Sequence, residues 1–201
     1  GDFTRLASLM RLSGEAVVGS LGIRPPLRAL DLGCADGTTA VPLARAGAQV
    51  LGIDIARNLV EAGQRRTAEL GLTALQFQHG DAGDLQGVAD HAFDLALSMF
   101  GAMFSPRPFD VARELVRVVK PGGRIVMGNW IPNDPTSFVS QLLKTSAAFT
   151  PPPPEGFISP VLWGVESHIV ERFGQAGVPA ERITMARDTY WFHADHLSPA
   201  G

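Results

Sequence analysis

The 201 residues are 45% hydrophobic and 18% charged, with a formal net charge of −3. That balance suits one globular domain with a full core, and it argues against a disordered chain or a general binder of polyanions. One cysteine leaves no internal disulfide, and no stretch nears the ~20 consecutive apolar residues of a membrane span; the expectation is a cytoplasmic protein that engages neither nucleic acid nor membrane.

The first strong element is the apolar run Ala29–Leu32, followed by a glycine-bearing turn and a helical stretch over Thr38–Arg45 that Gly47 ends. A second run covers Gln49–Ile53, and a helix is expected over Asn58–Leu70, closed by Gly71. Further short runs lie at Leu75–Gln78, Phe93–Met99 and Arg124–Trp130. They carry little polar alternation, as strands buried on both faces do. Between the last two, Phe109, Ala112, Leu115, Val116 and Val119 fall at helical spacing. Ser105-Pro106 suits the start of that helix and Pro121-Gly122-Gly123 its stop. Strands alternating with helices imply right-handed βαβ units, hence a Rossmann-like, doubly wound α/β domain with a mostly parallel sheet.

The texture changes after Trp130. Pro132 and Pro135 punctuate a loop, a helix is expected over Ser137–Phe149, and Pro151–Pro154 form a stiff extended spacer. Val165, Ile169 and Phe173 mark another helix, and the alternation over Ile183–Phe192 reads as a strand. The single domain therefore divides into a core at 28–130, a lid-like insertion after the fifth strand at 131–165, and a C-terminal helix and strand at 166–201.

The chemistry concentrates in Asp31-Leu32-Gly33-Cys34-Ala35-Asp36-Gly37. Glycine in such a turn lets a ligand approach the backbone, and a helix start offers unpaired N–H groups to a carboxylate. The G-x-G-x-x-G pattern of dinucleotide binders is absent. Asp31 at the strand's end would repel a pyrophosphate but suits an ammonium or sulfonium.

These residues resemble the first motif of class I S-adenosylmethionine-dependent methyltransferases, with Ala35 in place of a middle glycine. The resemblance continues in order through Gly52-Ile53-Asp54, Gly80-Asp81-Ala82, Phe93-Asp94-Leu95, the strand end at Ser98, and Lys120-Pro121-Gly122-Gly123. The flanks, including Phe100–Phe104, Gly128-Asn129-Trp130 and Leu162-Trp163-Gly164, are similar to a bacterial subgroup akin to ubiquinone/menaquinone-biosynthesis methyltransferases. The resemblance implies S-adenosylmethionine as cofactor and S-adenosylhomocysteine as product. Its site would comprise Asp31, Gly33, Cys34, Ala35 and Gly37 in the turn, Asp54 and Ile55 at the ribose, Asp81 and Ala82 at the adenine, and Ser98. The reaction implied is methyl transfer to an O, N or C atom of a small-molecule acceptor, by a monomer or homodimer.

Phe100, Met103, Trp130, Trp163 and His168 are candidates for the acceptor pocket. No residue is singled out as a catalytic base. Cys34 reads as a small spacer, and the five histidines lack metal-ligand spacing. The alternatives are a Rossmann-type NAD(P)-dependent oxidoreductase, which the missing fingerprint disfavours, and a methyltransferase-like module that binds cofactor without turnover. The family sheet ordinarily ends in a hairpin, whereas one strand candidate follows Glu171; the expectation is a truncated or unusual C-terminal part.

Overall fold

A computed structural model describes residues 10–149 and 151–189. Five strands, β1 (Arg28–Leu32), β2 (Gln49–Asp54), β3 (Leu75–His79), β4 (Phe93–Met99) and β5 (Val119–Gly128), form one sheet. Its order is β3-β2-β1-β4-β5, and every pairing is parallel. The chain moves outward from β1 in one direction and then from β4 in the other. The strand order reverses between β1 and β4, and a crevice opens at their carboxyl ends.

Helices α1 (Arg11–Ser20), α2 (Ala40–Arg45) and α3 (Arg57–Glu69) belong with one face of the sheet, and α4 (Pro108–Val118) and α6 (Glu166–Gln175) with the other. Val18, Val41, Leu43 and Val60 bury with Leu95 and Leu97 on the first side. Val111, Leu115, Val118 and Phe173 bury with Leu30 and Leu32 on the second. Alternate residues of β1 thus point into opposite cores, and each fully buried leucine contributes on the order of 1.5–3 kcal/mol.

Local chemistry explains the element limits. Helix α4 starts at Pro108, two residues beyond the expected Ser105-Pro106 start, because Pro108 occupies the first helical turn. Its Glu114 accepts from the Leu85 N–H at 2.7 Å, and Arg117 donates to the Leu85 and Val88 carbonyls at 3.1 and 2.8 Å, fastening the loop before β4. Gly122 at φ 80° lets Pro121-Gly122-Gly123 bulge within β5, whose pairing with β4 jumps between Phe93↔Val119 and Leu95↔Arg124. At the foot of the sheet Asp94 accepts from the Arg28 N–H and from Lys120 Nζ at 2.8 and 2.7 Å. Those two bonds hold its carboxyl below its usual range, so the Phe93-Asp94-Leu95 motif serves architecture. Helix α3 lies close on the sheet because Gly63 leaves room for Phe77: a Cβ there would stand 2.6 Å from the ring.

Helix α2 covers six residues, shorter than the expected Thr38–Arg45 stretch. Residues 183–189 carry no regular secondary structure, so the expected strand over Ile183–Phe192 does not form there, and its last three residues lie outside the described ones. β5 pairs with β4 alone among the described residues. The helix expected at Ser137–Phe149 is α5 (Phe138–Ala147), capped by the Ser137 hydroxyl accepting from the Ser140 N–H at 3.3 Å. None of its residues is buried. No helix among the described residues is long and apolar enough to cross a membrane.

Candidate active site

The turn after β1 is wound by three left-handed residues in five: Gly33 at φ 71°, Ala35 at 48° and Gly37 at 97°. Glycine adopts that region freely and alanine does so at a cost of about 1–2 kcal/mol. Substituting alanine for the family's middle glycine is therefore strained, not merely one methyl larger. The turn holds its shape through β2. The N–H groups of Gly33 and Cys34 both donate to the Ile53 carbonyl at 2.8 and 3.2 Å, and the Ala35 N–H donates to Asp54 Oδ2 at 2.8 Å. Asp54 Oδ1 accepts from the Ala56 N–H, also at 2.8 Å. Each carboxylate oxygen retains a further lone pair for a ligand hydroxyl.

Asp31 lies beneath the turn with no exposed surface. Its Oδ2 accepts from Thr39 Oγ1 at 2.6 Å, and its Oδ1 has no partner among the described residues. Burial raises the carboxyl from 3.8 to about 7 against the lowering effects of the Thr39 hydroxyl and the Ala40 backbone N–H, and the Asp54 charge adds to the rise. An orphaned acceptor of this kind is costly unless a cationic donor reaches it. Cys34 is buried, and burial beside Asp31 and Asp54 pushes its thiol well above the usual range. A thiol held protonated is no nucleophile, which supports the spacer reading.

Asp81 and Ala82 follow β3. Asp81 Oδ1 accepts from the Gly83 N–H and its Oδ2 from Arg107 Nη2, each at 2.8 Å. Its carboxylate is thus already oriented by an ion pair, a partner that the spacing of Gly80-Asp81-Ala82 does not disclose. Ile55 is 67% exposed beside Asp54, leaving its side chain free for a ligand face. Ser98 is buried; it donates to the Leu32 carbonyl at 2.7 Å and accepts from the Ala102 N–H at 3.0 Å. Its hydroxyl ties the ends of β1 and β4 together from below.

The turns after β1 and β4 touch through two glycines. A Cβ on Gly33 would stand 2.6 Å from the Gly101 Cα, and one on Gly101 would stand 2.3 Å from the Gly33 carbonyl oxygen. Gly101 was not among the expected site residues; its signal is its place directly after Phe100, which itself takes φ 59°. Phe100 stacks on Trp130 with ring centroids 4.0 Å apart and planes 14° off parallel. The pair stands at the carboxyl ends of β4 and β5 and forms the wall between the turn and a large groove.

That groove, about 2490 Å³, runs along β5 and is lined by Met103, Met127, Trp130, Trp163, Phe138 and Phe157, among others. It exceeds the ~300–1,000 Å³ of ordinary small-molecule sites. Its lining includes none of Asp31, Gly33, Asp54 or Asp81, and it approaches their neighbourhood at Met99 and Phe100 and along Met10 and Ser13. Its upper end is the part that adjoins the turn. Trp163 is 1% exposed, with the Arg172 guanidinium 4.5 Å from its ring, so it is core wall as well as lining. His168 is absent from the lining and faces Glu171 on its own helix at 3.6 Å, contrary to the expectation that it meets the substrate.

Residues 30–127 match the family model described as a methyltransferase domain. The chain is 34% identical over 175 residues to an uncharacterized protein of Mycobacterium tuberculosis, covering 87% of this chain and 62% of that protein. It is 41% identical over 100 residues, 50% of this chain and 40% of the other, to the demethylmenaquinone methyltransferase of Clavibacter sepedonicus. A SAM-dependent methyltransferase structure from Aquifex aeolicus superposes with a TM-score of 0.62 at 21% identity, over 85% of this chain and 82% of that one.

Proposed function

We propose that residues 30–127, which match the methyltransferase-domain model, bind S-adenosylmethionine, and that the protein moves a methyl group from it to a small-molecule O, N or C nucleophile. The observation that carries the reading is the buried Asp31 carboxyl with its unpartnered oxygen, set beneath a turn whose backbone is bared by glycine. The chain spans about three fifths of its Mycobacterium relatives' length.

The residues fit the cofactor. Asp31 would take the ammonium end, Gly33 to Gly37 would lie against the methionine portion, Asp54 would accept the two ribose hydroxyls, and Asp81 with the Ala82 N–H would meet the adenine edge. Bound there, the cofactor supplies a sulfonium whose methyl group is already reactive. What remains for the chain is alignment and exclusion of water, worth up to ~7–11 kcal/mol in model systems. Phe100 and Trp130 would orient the acceptor at the rim. No side chain at that rim is assigned as a base, and one is needed only if the acceptor must lose a proton.

We further propose that 131–165 acts as a lid on the acceptor. Phe138, Leu142, Leu143 and Phe157 of that segment are 45–67% exposed while lining the groove, an apolar surface in want of a cover. Calorimetric titration with S-adenosylmethionine, S-adenosylhomocysteine and NADPH tests the proposal. Binding of the first two in the micromolar range with none of the third is expected; binding of NADPH alone would replace the reading with an oxidoreductase.

A further inference from the structure

Helix α1 lies outside the matched domain residues, yet it is built onto the turn that would hold the cofactor. Arg11 Nη2 donates to Asp36 Oδ2 at 3.1 Å, and Asp36 is 5% exposed. Arg66 of α3 donates to the Asp36 carbonyl at 3.3 Å. One turn further along α1, Gly14 lies so near Thr38 that a Cβ would stand 2.4 Å from its carbonyl oxygen. Ser13 is buried, and Val18 enters the core beside Ala40 and Val41. The opposite flank of the helix, at Met10, Ser13 and Val17, lines the groove.

Resting on the methyltransferase reading, we infer that Arg11 and Asp36 are positioning residues: their ion pair latches α1 across the glycine-bearing turn and sets the geometry in which Ala35 to Thr39 meet the cofactor. The turn gains from an external fastening because Ala35, a non-glycine residue, sits in the left-handed region, where its backbone is held by its surroundings and not by preference. Asp36 follows Ala35 directly, so tension on its side chain acts on that strained neighbour. Asp36 Oδ1 and Arg11 Nε are buried without a partner among the described residues, so Arg11 is the carboxylate's one cationic side-chain bond. Arg66 binds the same residue from the other side, through the carbonyl, and Arg45 and Glu15 complete the local field. Removing Arg11 would leave a buried carboxylate with no cationic bond, and the turn would open to hydrate it.

The test compares the full chain with R11A, R11K and D36N, by hydrogen exchange without cofactor and by S-adenosylmethionine titration. Loss of one charge-assisted bond predicts about tenfold faster exchange of amides 35–39 in R11A and about tenfold weaker cofactor binding, mostly through faster dissociation. Amides in β1 and β4 should keep the wild-type rates, and R11K should recover most of both losses. Unchanged exchange at 35–39 in R11A overturns the latch, as does acceleration spread equally through β1 and β4, which would mean general loosening. Wild-type protein that fails to bind S-adenosylmethionine would sink the functional reading, while the exchange arm still decides the latch.

Discussion

Replacing Asp31 with asparagine separates charge from shape at the centre of the site. The amide keeps a carbonyl oxygen for the Thr39 hydroxyl but cannot ionise. In the native chain burial lifts the Asp31 carboxyl from 3.8 to about 7. A raised carboxyl holds its proton in the folded state while the unfolded chain has lost its own. Stability from this group is therefore full below pH 3.8 and falls as the pH rises through about 7, beyond which the slope ends. At ~1.36 kcal/mol per unit the full span is ~4 kcal/mol, of which ~3 kcal/mol falls between pH 5 and pH 8. Urea unfolding at those two pH values should show Asp31→Asn gaining on the wild type by that amount. Cofactor binding adds a second readout. If an ammonium settles beside Asp31, binding expels its proton, and titrations at pH 6 in buffers of different ionisation enthalpy should show release of about one proton in the wild type, a release missing in any residual binding by the variant. A stability difference that is the same at both pH values, together with no proton release, would refute the assignment of Asp31 as the buried partner of the cofactor's ammonium.

The remaining predictions probe the turn, Asp54 as the proposed ribose partner, and the proposed lid. Asp54→Ala should weaken S-adenosylmethionine binding by ~100-fold or more, since two charge-assisted bonds at about 1.5–3 kcal/mol each are lost; wild-type affinity by calorimetry in a folded variant would remove Asp54 from the site. Ala35→Gly should stabilise the protein by ~0.5–1 kcal/mol in denaturant titration, the relief of the left-handed alanine being partly offset by a more flexible unfolded chain. Gly101→Ala should lower both stability and cofactor affinity, because its methyl group would meet the Gly33 backbone at 2.3 Å; an unchanged melting temperature would contradict that contact. Amides across 137–163 should exchange more slowly when cofactor and acceptor are both bound; protection that instead tracks protein concentration would make the segment a contact between subunits.

The parallel sheet and its βαβ rhythm were readable because buried strands and amphipathic helices leave strong patterns. Ala112 and Leu115 mark the buried face of α4, whereas Val119, expected on the same helix, opens β5. The turn was readable for a different reason: Gly33 and Gly37 stand where only a left-handed backbone fits, so the chemistry is written in residue identity. Long-range partners leave no such mark. Arg107 pairs with Asp81 across 26 positions and Arg11 with Asp36 across 25, and nothing local to either carboxylate announces its arginine. Over 183–189 the alternation misled because it signals a strand only where a neighbour exists to pair with it, and β5 has none but β4 among the described residues. His168 misled similarly: its helix was legible, but the rotation of that helix was not.

The same distinction explains why the proposed cofactor half of the site is so much better defined than the proposed acceptor half. Around the turn, recognition is made by backbone N–H groups, glycines and carboxylates whose partners are the chain itself; Asp54 alone fastens Ala35 and Ala56. A ligand placed there has few ways to lie. Along β5 the lining is mostly apolar, with Phe138 and Leu142 more than half exposed. Such surfaces fix volume and dryness but set few directions, so acceptor identity would rest on a few polar atoms and on whatever closes the groove. The two halves meet at Gly33, Phe100 and Gly101, where a left-handed phenylalanine is carried against the turn by glycine-to-glycine contact. One side of that seam can keep its geometry while the other changes, because the Gly33–Gly101 contact leaves no room for a Cβ and so fixes the two turns against each other whatever lies beyond Phe100.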